Sequence, residues 1–184
     1  MDGSQSLELG VSITGIHNYA LNLVLHTAKD WASTNNGSFG RFFSLDQVDR
    51  QWLLDCSDAD LQSLADLPTS IIQVNLDEIR PKELAGSAVM PTAEVAAISG
   101  ILGAIAENIR SNVRVGMIAW GISSKTNADW LCNSSLKDRI ALASQGKVTF
   151  SPRTPFNRIA RQNQSGTDLM ANLMRILSGG KVSG

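Results

Sequence analysis

The sequence predicts a mainly α-helical protein, a helical bundle with helix-turn-helix-like units and short β-strands. Three observations predict it. Apolar residues recur at helical spacing over two long stretches, 11–33 and 93–111. Between and after them lie short amphipathic runs, several opened by Ser or Thr and closed by Gly or Pro. Strand-like composition is confined to SIIQVNL at 70–76 and KVTF at 147–150.

Each element follows in order. Residues 11–33 place Ile13, Ile16, Ala20, Leu23 and Thr27 near helical spacing, and Leu21, Val24, Leu25 and Ala28 widen the stripe into a largely buried helix. NNGS at 35–38 breaks it. Residues 45–55 form a short helix with Val48, Trp52 and Leu53 inward. Ser57 caps the next, with Asp60 as a carboxylate variant of the capping box, and Pro68 stops it. A strand at 70–76 and a Pro/Gly-punctuated connector at 80–91 lead to the second long helix, opened by Thr92 and Glu94. Residues 113–120 are apolar and helical up to Gly121. Helices at 124–131 and 135–144 flank a turn at 132–134, and Gly146 caps the second before the strand at 147–150. A loop at 151–166, an amphipathic helix at 167–177 capped by Thr167, and a GGKVSG tail complete the chain.

Composition narrows the function classes. Hydrophobic residues make up 43% of 184 residues, enough for a real core. No apolar run is long enough to span a membrane, and the acidic N-terminus lacks the regions of a signal peptide. Cys56 and Cys132 stand apart from any His or second Cys, which excludes a zinc motif and suits reduced thiols in a cytoplasmic protein. His17 and His26 fall on nearly opposite faces of one helix, so they form no metal pair. There is no phosphate-binding glycine loop, nucleophile elbow or metal-spaced cluster. No enzyme activity, cofactor or metal is expected.

The net charge of −1 conceals a polarity. Residues 1–109 carry five basic and fourteen acidic groups, net −9; residues 110–184 carry eleven basic and three acidic, net +8. Such asymmetry points to nucleic-acid or membrane contact, or to attraction between the halves, within the chain or between protomers.

The halves overlay without gaps at an offset of 78, with Trp52-Leu53 on Trp130-Leu131, Ser57 on Ser135, Asp60 on Asp138 and Leu64-Ala65 on Leu142-Ala143. Upstream, Ile13-Thr-Gly-Ile16 echoes Ile98-Ser-Gly-Ile101. Two degenerate repeats explain this, and so does chance between two helix-turn-helix stretches. The comparison still separates the units chemically. The first carries Asp58, Asp60 and Asp66 on its second helix, which a duplex repels. The second carries Lys125, Lys137, Arg139 and Lys147, with Asn133 and Ser135 as polar donors, the set a helix entering a major groove needs. Packed helices with a solvated basic face are the competing explanation. SPRTPFNRIARQ adds Arg153, Arg158 and Arg161 on a Pro-containing loop suited to phosphates or to solvent.

From Ile13 to Ser111 the chain resembles the FlhD-type subunit of the bacterial flagellar and conjugative-element master transcriptional activators. The resemblance rests on the Ile13–Leu23 apolar pattern, FFSL at 42–45, WLLDCSDADLQSLAD at 52–66, the strand IIQVNL and EVAAISGILGAIAENI at 94–109. It implies a helical dimerisation and partner-binding domain at 1–111; the chain departs from the family in extending past its end with a basic helix-turn-helix-like segment at 112–184. It also implies homodimerisation, an FlhC-like partner, binding to double-stranded promoter DNA and recruitment of RNA polymerase. Dimer and partner contacts would then fall to Ile13, Ile16, Leu23, Trp52, Leu61, Leu64, Ile98, Ile101 and Ile105. Ile72 stands where flagellar members carry an inter-subunit disulfide cysteine, so no disulfide-linked dimer is expected. A purely protein-binding adaptor or anti-activator is the rival class.

Overall fold

A computed structural model of the chain describes residues 3–67, 70–77, 79, 90–156 and 158, with side chains described from Gly15 onward. The loop residue Arg161 and the helix expected at 167–177 lie outside them, as does most of the connector at 80–91.

The fold is mainly helical, with a small two-stranded sheet. α1 spans Gly3–Ser33, starting earlier than its apolar stripe suggests. α2 (Phe39–Phe42) follows, an aromatic turn too short to show a period. α3 (Gln47–Asp55) begins at Asp46, whose carboxylate accepts from the Asp49 N–H. α4 (Asp58–Ala65) begins at Ser57, whose hydroxyl accepts from the Asp60 N–H while the Asp60 carboxylate accepts from the Ser57 N–H. β1 is Ile72–Leu76. The second half runs α5 (Ala93–Ser111), α6 (Val113–Trp120), α7 (Lys125–Asn133), α8 (Leu136–Ser144) and β2 (Val148–Pro152). Asn112, in an extended conformation, separates α5 from α6, and its side chain caps α6 through the Val115 N–H at 3.1 Å.

The offset of 78 recurs in three dimensions. α3 and α7 start 78 residues apart, as do α4 and α8. Ser135 and Asp138 repeat the reciprocal capping box of Ser57 and Asp60. Leu53 and Leu131, Leu64 and Leu142, and Ala65 and Ala143 are buried pairwise. α1 packs on α3 and α4 as α5 packs on α7 and α8, and α1 and α5 pack on each other.

The sheet carries the strongest sign of symmetry. β1 and β2 pair antiparallel with Gln73 opposite Ser151, residues that are themselves 78 apart, and Ile72 opposite Pro152 as Val74 is opposite Phe150. A strand that pairs about its own equivalent is the mark of a two-fold axis, as in an isologous dimer. Here both strands belong to one chain, so the two degenerate units face each other as the halves of a dimer would. Their exchange continues beyond the sheet. Asp49 accepts from the Phe156 N–H at 2.7 Å, and its equivalent Asn127 donates to the Leu76 carbonyl at 3.3 Å.

One contiguous core runs across both units. It therefore continues across the division expected at 111/112, which falls at the short link between α5 and α6. Trp31, Phe39, Phe42 and Phe43 form an aromatic cluster that reaches β2 through Phe43 and Phe150, 5.5 Å apart. Glycine is required twice where α6 packs. A Cβ on Gly116 would stand 2.5 Å from the Ile109 Cα, and Gly121 ends the helix at φ +68 with the Arg153 guanidinium beneath it.

Candidate nucleic-acid and partner interface

The cationic residues expected on the second unit divide into two groups. Lys125 in the first turn of α7, Lys137 in the first turn of α8, and Arg158 beyond β2 are exposed. Arg139 and Arg153 are not available in the same way.

Arg139 lies at the position that Leu61 occupies in the first unit, where the side chain is fully buried. Its guanidinium folds back onto the end of α7, with Nη1 donating to the Ser134 carbonyl at 2.7 Å and to the Ser134 hydroxyl at 3.3 Å. It also approaches α5, where Gly103 leaves room for it. A cation at a helix C-terminus is held by the unpaired carbonyls there, so Arg139 serves the α7–α8 turn instead of a groove.

Arg153 is likewise withdrawn. It donates to the Ile118 carbonyl at the end of α6, its Nε is buried without a partner, and burial pulls its pKa below the usual arginine range. Both guanidinium groups, expected at a groove and at phosphates, are half-buried and donate within the chain.

The start of α8 is also filled from within. The Asp138 carboxylate accepts from the Ser135 hydroxyl at 2.7 Å and from the Ser135 N–H at 2.8 Å, and these bonds lower its pKa. An anion thus already sits where a phosphate would bind at that helix terminus. Ser135 is a cap, not a free donor. Asn133 is exposed and donates to the Asp129 carbonyl at 2.7 Å, within its own helix. Lys147 is half-buried, and its backbone carbonyl accepts from the Asp77 N–H at 3.1 Å.

The residues expected at a dimer or partner surface are mostly spent inside the chain. Leu61, Ile98, Ile101 and Ile105 are fully buried and Leu64 nearly so. Ile16, Leu23 and Trp52 are half-buried, and Trp52 packs on Phe156 with ring centroids 5.4 Å apart. The side chain of Ile13 is outside the described residues. Leu61 and Leu64 are on α4, which packs on α1 within the first unit, and Ile98, Ile101 and Ile105 are on α5, which packs on α1, α7 and α8.

Other features were not anticipated. Arg41 reaches from α2 to the last carbonyls of α8, Ala143 at 3.3 Å and Ser144, clamping one unit to the other. His17, although on α1, is buried beside Trp120 of α6 with centroids 5.5 Å apart, while the Trp120 indole donates to Asn108 at 2.9 Å. Burial lowers the His17 pKa below 6.5; the Asn108 side chain opposes this and the Arg153 charge adds to it. Val115 and Ile118 on α6 are exposed, at 50% and 61%. A signal for that face was present, since 113–120 is apolar nearly all round with Arg114 as its one charge.

Both cysteines are free, and burial pushes each thiol up, away from the thiolate form a nucleophile needs. Among the described residues no three His, Cys, Asp or Glu side chains converge as metal ligands, and no helix is long and apolar enough to cross a membrane. Comparison with protein-family models, curated proteins and solved structures returns no match to this chain.

Proposed function

We propose that this chain is a non-catalytic, cytoplasmic regulatory subunit of the FlhD type. In this reading it joins an FlhC-like partner on promoter DNA, turns its second unit toward the duplex, and helps recruit RNA polymerase. One observation carries the reading. The two helix pairs share caps, turn and apolar seam, yet their outward residues differ in sign. The first exposes Asp58, Asp60 and Asp66, and the second exposes Lys125 and Lys137. Packing does not require that difference, because exposed positions tolerate either sign.

The contribution of this chain to DNA binding is electrostatic and small. Lys125, Lys137 and Arg158 can neutralise three phosphates, which gives a slope of about −2.7 in log affinity against log salt, or roughly 40-fold between 50 and 200 mM. Sequence-specific readout then falls to the partner.

The test is retention of the purified chain on duplex DNA as salt is varied, alone and with an FlhC-like subunit. Weak retention with a shallow slope is expected for the chain alone, reduced further in a K125Q/K137Q/R158Q variant. No retention at low salt in either preparation would refute DNA contact. It would favour the adaptor or anti-activator reading, to which the internal engagement of Arg139 and Arg153 already lends support.

A further inference from the structure

We propose that the exposed face of α6 is a docking surface for a second copy of this chain, met head-to-tail by the acidic α3–α4 face of that copy. Arg114, Val115 and Ile118 project from α6 at spacings of one, three and four residues, so they share one side of the helix. Beside them Met117, Gly121, Ile122 and Ser123 line a shallow, mostly apolar groove of about 460 Å³. The internal symmetry sets α2 on the end of α6, Phe39–Phe42 on Met117–Trp120, and places Gly37 and Gly40 where α6 has the exposed Val115 and Ile118. The residues from Asn35 to Phe43 bring α2 and its aromatic side chains against the end of α1. The exposed apolar side chains of α6 are therefore peculiar to the second unit, whose chain passes to α7 through Gly121–Ser124.

Charge decides between occupants. From Arg110 to Ala128 there is no carboxylate, while Arg114 and Lys125 are exposed. Symmetric pairing of two α6 faces would bring these like charges together, which is costly at an interface. The chain's own residues 159–184 carry three basic groups and one acidic group, a poor match for a cationic rim. The α3–α4 face has the complementary character. Val48, expected inward, is 53% exposed and shares one side of α3 with the exposed Gln51 and Asp55, and the exposed Asp58 follows at the start of α4. Lys29 pairs with Asp58 at 3.2 Å and Gln51 donates to Asp55 at 3.0 Å, leaving the outer carboxylate oxygens to solvent. An apolar contact ringed by opposite charges forms when one face meets the other, so the interface is heterologous, and copies add in chains or close into a ring.

Sedimentation of the full chain, free of nucleic acid, tests this at about 100 μM protein, a concentration that reveals even micromolar-range affinity. Assemblies larger than a monomer are expected at about 50 mM salt and are lost near 500 mM, where the Debye length falls well below 10 Å. I118D and V48D alter exposed positions on the two opposite faces, and each alone is expected to be monomeric with an unchanged melting temperature. Mixed in equal amounts they retain one intact face each, and should form a dimer and nothing larger. A monomeric wild-type chain at low salt overturns the proposal, whether the α6 face is bare or covered by the chain's own C-terminal residues. Assembly surviving in either single variant overturns it too, as does failure of the mixture to pair.

Discussion

The strap from Ser151 to Phe156 joins the two units, and Phe156→Ala measures how much it does so. Phe156 is fully buried, its ring lies 5.4 Å from Trp52, and its N–H is bonded to the buried Asp49 carboxylate. Truncating a buried Phe costs about 3–5 kcal/mol, including the cavity left behind. Set against a total of about 5–15 kcal/mol for a domain, this is a large fraction of the stability. Asp49→Ala acts on the same strap from the other side. It leaves the Phe156 N–H buried without an acceptor, at a cost of about 1–3 kcal/mol. If the strap leaves as a unit, the double variant costs less than the sum of the singles by at least about 0.5 kcal/mol. Urea unfolding followed by tryptophan fluorescence and by far-UV circular dichroism gives all three values. A cost below about 1 kcal/mol for Phe156→Ala, or strict additivity in the double variant, would refute the picture of a strap that ties the units together.

Ser57→Ala and Ser135→Ala each remove one half of an equivalent capping box and should each cost about 1 kcal/mol in thermal melts; a several-fold difference between them would count against the equivalence of the units. Gly116→Ala sets a Cβ 2.5 Å from the Ile109 Cα. Chemical denaturation should show it destabilising by about 1–3 kcal/mol, although alanine is intrinsically the better helix former. His17 is buried with its pKa held below 6.5, so its neutral form stabilises the fold above that pH, and the contribution is lost as pH falls from 6.5 toward the folded value. Melting temperature measured across this interval should fall less steeply for His17→Phe than for the native chain. Gln47 and Ala59 are exposed equivalents of Lys125 and Lys137. Gln47→Lys with Ala59→Lys should strengthen retention on DNA at low salt, and unchanged retention would show that these positions do not meet phosphates.

Much of this architecture is legible in the sequence because local physics writes it there. The 3.6-residue period marks α1 and α5, and Ser57 with Asp60 and Ser135 with Asp138 announce α4 and α8 through the donors that every helix start leaves unpaired. α2 is not legible, because four residues carry no period. The pairing of β1 with β2 is not legible either, since strands 76 residues apart in register are chosen by the packing of everything between them. The direction of a long side chain is a third gap. Arg139 and Arg153 read as free cations, and the deciding facts were the depth of the Leu61-equivalent position and the carbonyl of Ile118. Aligning the units at 78 already sets Arg139 on Leu61, a buried position in an amphipathic helix, so its inward course had a visible sign. For Arg153 there was none.

An internal two-fold has a consequence that a pair of identical subunits cannot share. In a homodimer each substitution appears on both faces, so an acidic helix pair on one side demands an acidic pair on the other. Joining the units in one chain lifts that restriction. Gln47 stands at Lys125, Asp58 at Leu136, Ala59 at Lys137 and Asp66 at Ser144, while the Ser–Asp caps and the buried Leu53 and Leu64 recur. The change is confined to outward positions, where either sign costs the fold little. The arginine at the equivalent of Leu61 is the informative exception. Here the units differ in the seam as well, and the fold holds the charge by turning it onto the nearest helix end. The positive charge of residues 110–184 is thus of two kinds: Lys125, Lys137 and Arg158 stand exposed, while Arg139 and Arg153 donate to carbonyls at helix ends.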